Sequence, residues 1–335
     1  MRRQFLLMTT VAVLTLAGCS DDDKRGCYEP SGTVVPVKLE FLSLEQRFSS
    51  VQTKQDLVDL FTGQEILRDV FFNRSAYPDD SVFIRELHRR FTHPGIDTLS
   101  DEVTRVFGDG SALRKSFEDA WSHLRHYYPE TRMPRIVTVI SGMENDLYLS
   151  DSLIIVGLDH FLDLSARYRP NVYQYMQRRY TPETIVPSVM LLMGIDAERN
   201  KLDPKDQTTL AEMVAYGKAY LFAKHMIPCV PDSTLFGFTG KETAGAYYNE
   251  PEIFKRLVDE RVWFETSHLV KQRYLSERPN VPEISSECPG RIGTWVGMRI
   301  VQKYQEETGK DLKSIMEQPD AQAVFRISRY KPVGR

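Results

Sequence analysis

A surplus of positive charge is missing from this sequence. Its 43 lysines and arginines stand against 46 aspartates and glutamates, for a formal charge of −3. Nucleic-acid binding rests on basic side chains that neutralise phosphates, so no nucleic-acid partner is expected. Beyond the N-terminus no apolar run reaches the roughly 20 residues of a membrane-spanning helix. "LIIVGL" and "IVPSVMLLMGI" are short or interrupted. No C-x-x-C pair occurs among the four cysteines, which argues against a cysteine zinc site. None of the seven histidines forms H-x-x-x-H. G-x-S-x-G, G-x-G-x-x-G and the phosphate-binding loop G-x-x-x-x-G-K-[ST] are absent too, so no nucleophile elbow or nucleotide site is indicated. Paired carboxylates for glycoside chemistry leave no short signature and stay open.

The N-terminus is informative. Arg2 and Arg3 are followed by an apolar stretch, Phe5–Ala17, too short to span a bilayer. It ends in Leu16-Ala17-Gly18-Cys19, and small residues before a cysteine resemble a bacterial lipoprotein signal. The reading is a signal peptide over residues 1–18 and lipidation at Cys19. More than one acyl chain would make a stable membrane anchor, at about 0.8 kcal/mol per buried methylene. "SDDDK" after the cysteine resembles the export signal of Bacteroidetes lipoproteins, which favours the outer membrane. A solvated, charge-extended tether is the other reading. The tether is expected to cover residues 19–36, and a single globular domain residues 37–335. Outside the inner membrane disulfides are permitted. Cys229–Cys288 is the expected pair because Cys27 lies in the tether, with unpaired buried thiols as the alternative.

Alternating apolar residues from Val35 to Phe41 have strand spacing. Helices are expected from Thr53 through "TKQDLVDLFTGQEILRDVFFNR" and over Asp80–Thr92, Thr98–Phe107 and Ser111–Tyr128. Arg135–Gly142 and Leu147–Asp159 then read as a small hairpin beside the first strand. The remainder reads as helix: Asp159–Tyr168, Val172–Tyr180, Pro182–Arg199, Lys205–His225, Lys241–Tyr248, Pro251–Phe264 and Pro289–Gly309. The fold class is α+β, mostly α-helical, with a small antiparallel sheet followed by a helical bundle.

Local chemistry is thin. His123 and His126 can share a helix face, but two ligands do not make a zinc site. Asp159 and His160 are neighbours whose side chains diverge on a helix, so Asp159 reads better as a helix cap than as the partner of a histidine base. In "PGRIGTWVG", Gly293 and Gly297 permit close helix approach, with Arg291 and Trp295 as packing and hydrogen-bonding residues. A ligand role for Arg291 is a second possibility.

"LIIVGLDHFLD", "YQYMQRRYTPETIVPSVM", "TTLAEMVAYGKAYLFAKHMIP" and "CPGRIGTWVGMRIVQKY" together resemble the GldB-type gliding-motility lipoproteins of Bacteroidetes. That family is distantly similar to zincin-type metallopeptidases, whose helix carries H-E-x-x-H. The resemblance implies a degenerate zincin-like architecture with Pro182–Arg199 as the corresponding helix. Val189, Met190 and Met193 then occupy relic ligand positions, and Tyr216 stands where a further carboxylate would be. It also implies a non-catalytic lipoprotein with no metal and no cofactor, acting through envelope proteins of the motility or secretion machinery. A metal-dependent hydrolase with unrecognised ligands, or a ligand-binding module using the old cleft, are the alternatives.

Overall fold

Val137 and Thr138 at the middle of one strand, and Ile155 and Val156 at the middle of another, are all buried, although successive side chains point to opposite faces. Strands covered on both faces read as continuous apolar runs and belong in parallel sheets. In the computed structural model, which describes residues 27–28 and 30–333, they do. The sheet comprises β1 (Phe41–Ser43), β2 (Arg135–Val139), β3 (Leu147–Leu149) and β4 (Leu153–Gly157) in the order β1-β2-β4-β3. β1, β2 and β4 are parallel, and only β3 is antiparallel, pairing Tyr148 with Ile155. The expected antiparallel hairpin of Arg135–Gly142 with Leu147–Asp159 is therefore corrected. Leu147–Asp159 contains the hairpin itself, and β4 returns parallel to β2. The first strand also starts later than expected. Val37 N–H donates to Ser122 Oγ at 3.0 Å and Leu39 N–H to Glu118 at 3.4 Å, so side chains of a helix take the donors a sheet neighbour would take.

Helices supply most of the mass. Before β2 come α1 (Glu45–Ser49), α2 (Lys54–Phe61), α3 (Asp80–Phe91), α4 (Gly95–Phe107) and α5 (Ser111–Tyr127). After β4 come α6 (Ile185–Ile195), α7 (Thr209–Met226), α8 (Asp232–Phe236), α9 (Gly240–Tyr248), α10 (Glu250–Asp259), α11 (His268–Leu275), α12 (Ile292–Thr308), α13 (Leu312–Met316) and α14 (Ala321–Ser328). Thr53 caps α2 in a reciprocal box with Asp56, as expected from its position. Pro187 is the third residue of α6, where a missing N–H leaves no bond unmade, so the helix tolerates it. Among the described residues no helix is long and apolar enough to cross a membrane.

The expected helices Asp159–Tyr168 and Val172–Tyr180 are absent. A short 3₁₀ turn at Leu158–Phe161 leads into irregular chain, interrupted only by a second turn at Gln177–Arg179. Local side-chain bonds divert the backbone. Asp163 accepts from Ser165 N–H at 2.9 Å. Arg169 donates to the carbonyls of Leu162 at 2.7 Å and Gln177 at 2.8 Å.

α7 lies at the centre and packs against α6, α12 and α14. The approach of α7 to α12 is close. A Cβ on Gly217 would sit 2.2 Å from the Gly297 carbonyl oxygen, and one on Gly297 1.8 Å from that of Met213. Lys218 is fully buried with no acid, its ammonium donating to the carbonyls of Lys201 (2.7 Å), Gln318 (2.9 Å) and Met316 (3.0 Å). Three acceptors match three N–H donors, so the lysine clamps α7 to two loops that are themselves joined, Lys201 N–H donating to the Met316 carbonyl at 2.9 Å.

The cysteine expectation is also corrected. Cys229 pairs with Cys27, at a Cα separation of 4.4 Å, while Cys288 is a free, buried thiol. Burial in apolar surroundings pushes the Cys288 thiol up to about 12. The folded domain consequently takes in part of the expected 19–36 tether. Tyr28 donates its N–H to Pro228 and accepts from Gln302 Nε2 at 2.8 Å, and its ring lies 4.7 Å from that of His225. Cys19 and the expected signal peptide, residues 1–18, lie outside the described residues.

Candidate functional site

The four positions expected to be relics of a metal site are core, or at its edge. Val189 and Met190 are fully buried on α6, Met193 nearly so, and Tyr216 is half-buried on α7. α6 and α7 pack together as expected, with Gly194 against Ala219: an added Cβ would lie 2.9 Å from the Ala219 carbonyl oxygen. The α6 residues are held by apolar packing and bring no polar atom to a common point. Among the described residues no group of three or more His, Cys, Asp and Glu side chains could hold a metal ion. His123 turns its Nδ1 to the Asp119 carbonyl at 2.9 Å, and His126 stands edge-on to Tyr127. Asp159 and His160 do not pair either. The Asp159 carboxylate accepts from Ser141 N–H (2.9 Å), Ser141 Oγ (3.2 Å) and Met143 N–H (2.6 Å). It thereby templates the loop after β2, in which Met143 adopts a left-handed φ of 65°. Its expected role as a helix cap is replaced by that of a loop anchor.

The most concentrated chemistry lies elsewhere, around two arginines. Arg179 ends the 3₁₀ turn Gln177–Arg179, and Arg291 precedes α12 with a left-handed φ of 60°. Both reach the same oxygen of Glu277, Arg179 at 2.7 Å and Arg291 at 3.0 Å. Arg291 also donates to Tyr220 at 2.5 Å, and Arg179 to the Phe236 carbonyl. Tyr216 lies one helical turn before Tyr220, on the same face of α7. The side chains of Arg179, Arg291 and Glu277 keep only 22%, 11% and 33% of their surface exposed. Two guanidiniums and one carboxylate leave a positive charge uncompensated in this poorly hydrated spot. Burial first, and the neighbouring Arg291 second, lower the Arg179 guanidinium from its ordinary value. Beside it Arg178 pairs with Glu242 at 2.6 Å. Sequence reading singled out Arg291 but not Arg179, Tyr220 or Glu277. The adjacent pair in "QRRY" was the available signal.

Two concavities are present, and neither is lined by Arg179, Arg291, Glu277 or Tyr220. One, of about 580 Å³, opens at the carboxyl end of β2 and is lined by Arg90, His93, Gly142, Glu144 and Tyr168 among others, with Arg90 and Glu144 paired at 3.0 Å. Carboxyl ends of parallel strands are the common place for ligands in such sheets. The other, of about 990 Å³, is mainly apolar and runs past Val34, Phe107, Val186, Ile227 and Cys229.

A family model described as gliding motility protein GldB matches residues 27–332, nearly the whole described chain. The chain belongs to the GldB family. The match starts at Cys27, the first residue tied to the globule by the disulfide. No curated protein and no solved structure matches the chain.

Proposed function

We propose that this GldB-family protein is a non-catalytic component of the cell envelope, held at a membrane by acyl chains on Cys19 and acting in gliding motility through protein partners. The observation that carries this reading is the family match over residues 27–332, preceded by the lipidation motif. The apolar filling of α6 supports it. A catalytic zinc needs three protein ligands and an open position, and Val189, Met190 and Met193 provide neither. The ancestry of α6 and α7 in a zincin-type peptidase belongs to the same proposal. The acids after Cys19 favour the outer membrane.

Palmitate labelling with envelope fractionation tests it. The wild-type chain should incorporate label and sediment with membranes, and Cys19→Ala should do neither. Label retained by Cys19→Ala would overturn the anchor, and chelator-sensitive peptidase activity would overturn the non-catalytic role. A second reading, a ligand-binding module, is favoured by the cavity at the carboxyl end of β2. It requires that Arg90 or Glu144 face a small polar ligand there.

A further inference from the structure

We propose that segment 163–181, together with the arginine pair beneath it, is a docking surface for an acidic segment of a partner protein. The inference rests on the partner-mediated role above and gives that role a place and a chemistry.

Composition points there first. From Leu164 to Pro182 there is no acid, while Arg167, Arg169, Arg178 and Arg179 stand among Tyr168, Tyr173, Tyr175 and Tyr180. The chain as a whole is net negative, so this is a local reversal of sign. The segment is also long for a connection without regular structure, and such connections are disproportionately functional.

It is nevertheless ordered. Arg169 closes the segment on itself through two carbonyls, Asp163 fixes its first turn, and Arg178 ties its end to Glu242. A surface ordered in advance gives up little entropy on binding. Its outer face carries Tyr173, 74% exposed and stacked on Tyr175 with ring centroids 5.8 Å apart. Arg167 lies over the Tyr168 ring at 5.5 Å. Tyrosine and arginine dominate the energetic centres of protein interfaces.

The charge behind this face is unbalanced. Glu277 is shared by Arg179 and Arg291, so an incoming carboxylate would meet a positive charge lacking a counter-ion. The exposed Arg167 offers the guanidinium fork that matches a carboxylate in two-bonded geometry. An anionic membrane is the less favoured occupant. Membrane attraction rests on clusters of free basic side chains, whereas Arg169, Arg178 and Arg179 are fixed by internal partners and no lysine is present.

Fluorescence anisotropy on the mature full-length protein in detergent tests the proposal. The probe is a labelled octapeptide of alternating glutamate and alanine, with its glutamine counterpart as control. Phosphatidylglycerol vesicles form a separate arm. The wild type should bind the glutamate peptide saturably and at least ten-fold more tightly than the glutamine peptide. The double variant Arg167→Gln, Tyr173→Ala should lose at least ten-fold. Both residues are exposed, so the variant should keep its melting temperature. No binding by the wild type, equal binding of both peptides, or unchanged binding by the double variant would each overturn the proposal. So would loss of vesicle binding in the double variant without any peptide binding, which assigns the surface to lipid; the anchor contributes equally to both proteins. A protein that fails these tests while remaining labelled and membrane-bound loses the docking surface and keeps its envelope role.

Discussion

At the crossing of α7 and α12 a methyl on Gly297 would lie 1.8 Å from the Met213 carbonyl oxygen. On segment 163–181, Tyr173 leaves 74% of its surface open. One region has no room for a single added carbon, and the other holds aromatic and basic side chains out to solvent. Both are ordered, but by different means: direct backbone approach in the first, arginine bonds to carbonyls in the second. The difference teaches where function can reside. The central helices α7 and α12 are closed on each other by backbone contact, while the segment's side chains remain open to solvent.

The first way to break this comparison is to force the centre open. Gly297→Leu puts a side chain where the Met213 backbone stands, and the whole α7–α12 contact must separate. We expect loss of roughly 3 kcal/mol or more, enough to prevent folding in a marginal domain. Urea denaturation measures it, and a variant within 1 kcal/mol of wild type, by the order of magnitude of overpacking effects, would show that the crossing is looser than described.

Cutting the disulfide comes next. The Cys27–Cys229 bridge closes a separation of 202 residues, and removing a native disulfide typically destabilises by about 2–4 kcal/mol. Cys27→Ser should lower the melting temperature, whereas Cys288→Ser should not abolish any cross-link. Non-reducing peptide mapping should give a Cys27–Cys229 species, and a Cys229–Cys288 species would contradict the structure.

Acid should loosen the same corner. His225 is buried against Tyr28, Tyr127 and Gln305, and burial lowers its pKa from 6.5 to about 4. The unfolded state therefore binds the extra proton first. The stability this group contributes is fully present above about pH 6.5 and is lost as pH falls towards 4. The loss is at most about 3 kcal/mol. His225→Gln should flatten the slope of stability against pH in that window, and an unchanged slope would remove His225 as its cause.

The smallest effect on stability is expected on the outer face. Tyr173→Ala should change unfolding free energy by less than about 0.5 kcal/mol. A larger loss would mean that the tyrosine stack is part of the packing and not held out for a partner.

Much of this architecture was legible in the sequence, and the misses share a cause. Helices with a strong apolar period or a good cap, such as α3, α5 and α12, appear close to where periodicity puts them. The expected close approach at Gly293 and Gly297 is present. What failed depended on distant partners. The strand at Val35 lost its donors to Glu118 and Ser122 of α5. The helices expected between Asp159 and Tyr180 gave way to Arg169 and its two carbonyls. The disulfide went to Cys27 because the chain at Cys27 and Tyr28 packs beside the end of α7. Site chemistry was less legible still. Glu277 and Arg291 share the loop between α11 and α12, and Arg179 comes from a turn far earlier in the chain, so no spacing rule connects them. Lys218 was overlooked because its partners are carbonyls, which leave no residue signature.

The most direct test of whether function lies on the surface rather than in the closed centre is cell spreading by gliding, with the chromosomal copy replaced in two ways. Met190→Leu conserves volume inside α6 and changes only a fully buried core position. Arg167→Gln with Tyr173→Ala changes only the outer face. With both proteins at wild-type abundance, cells carrying Met190→Leu should glide normally and those carrying the surface pair should lose spreading. Normal gliding with the surface pair, and loss with Met190→Leu, would return the function to the centre of the molecule.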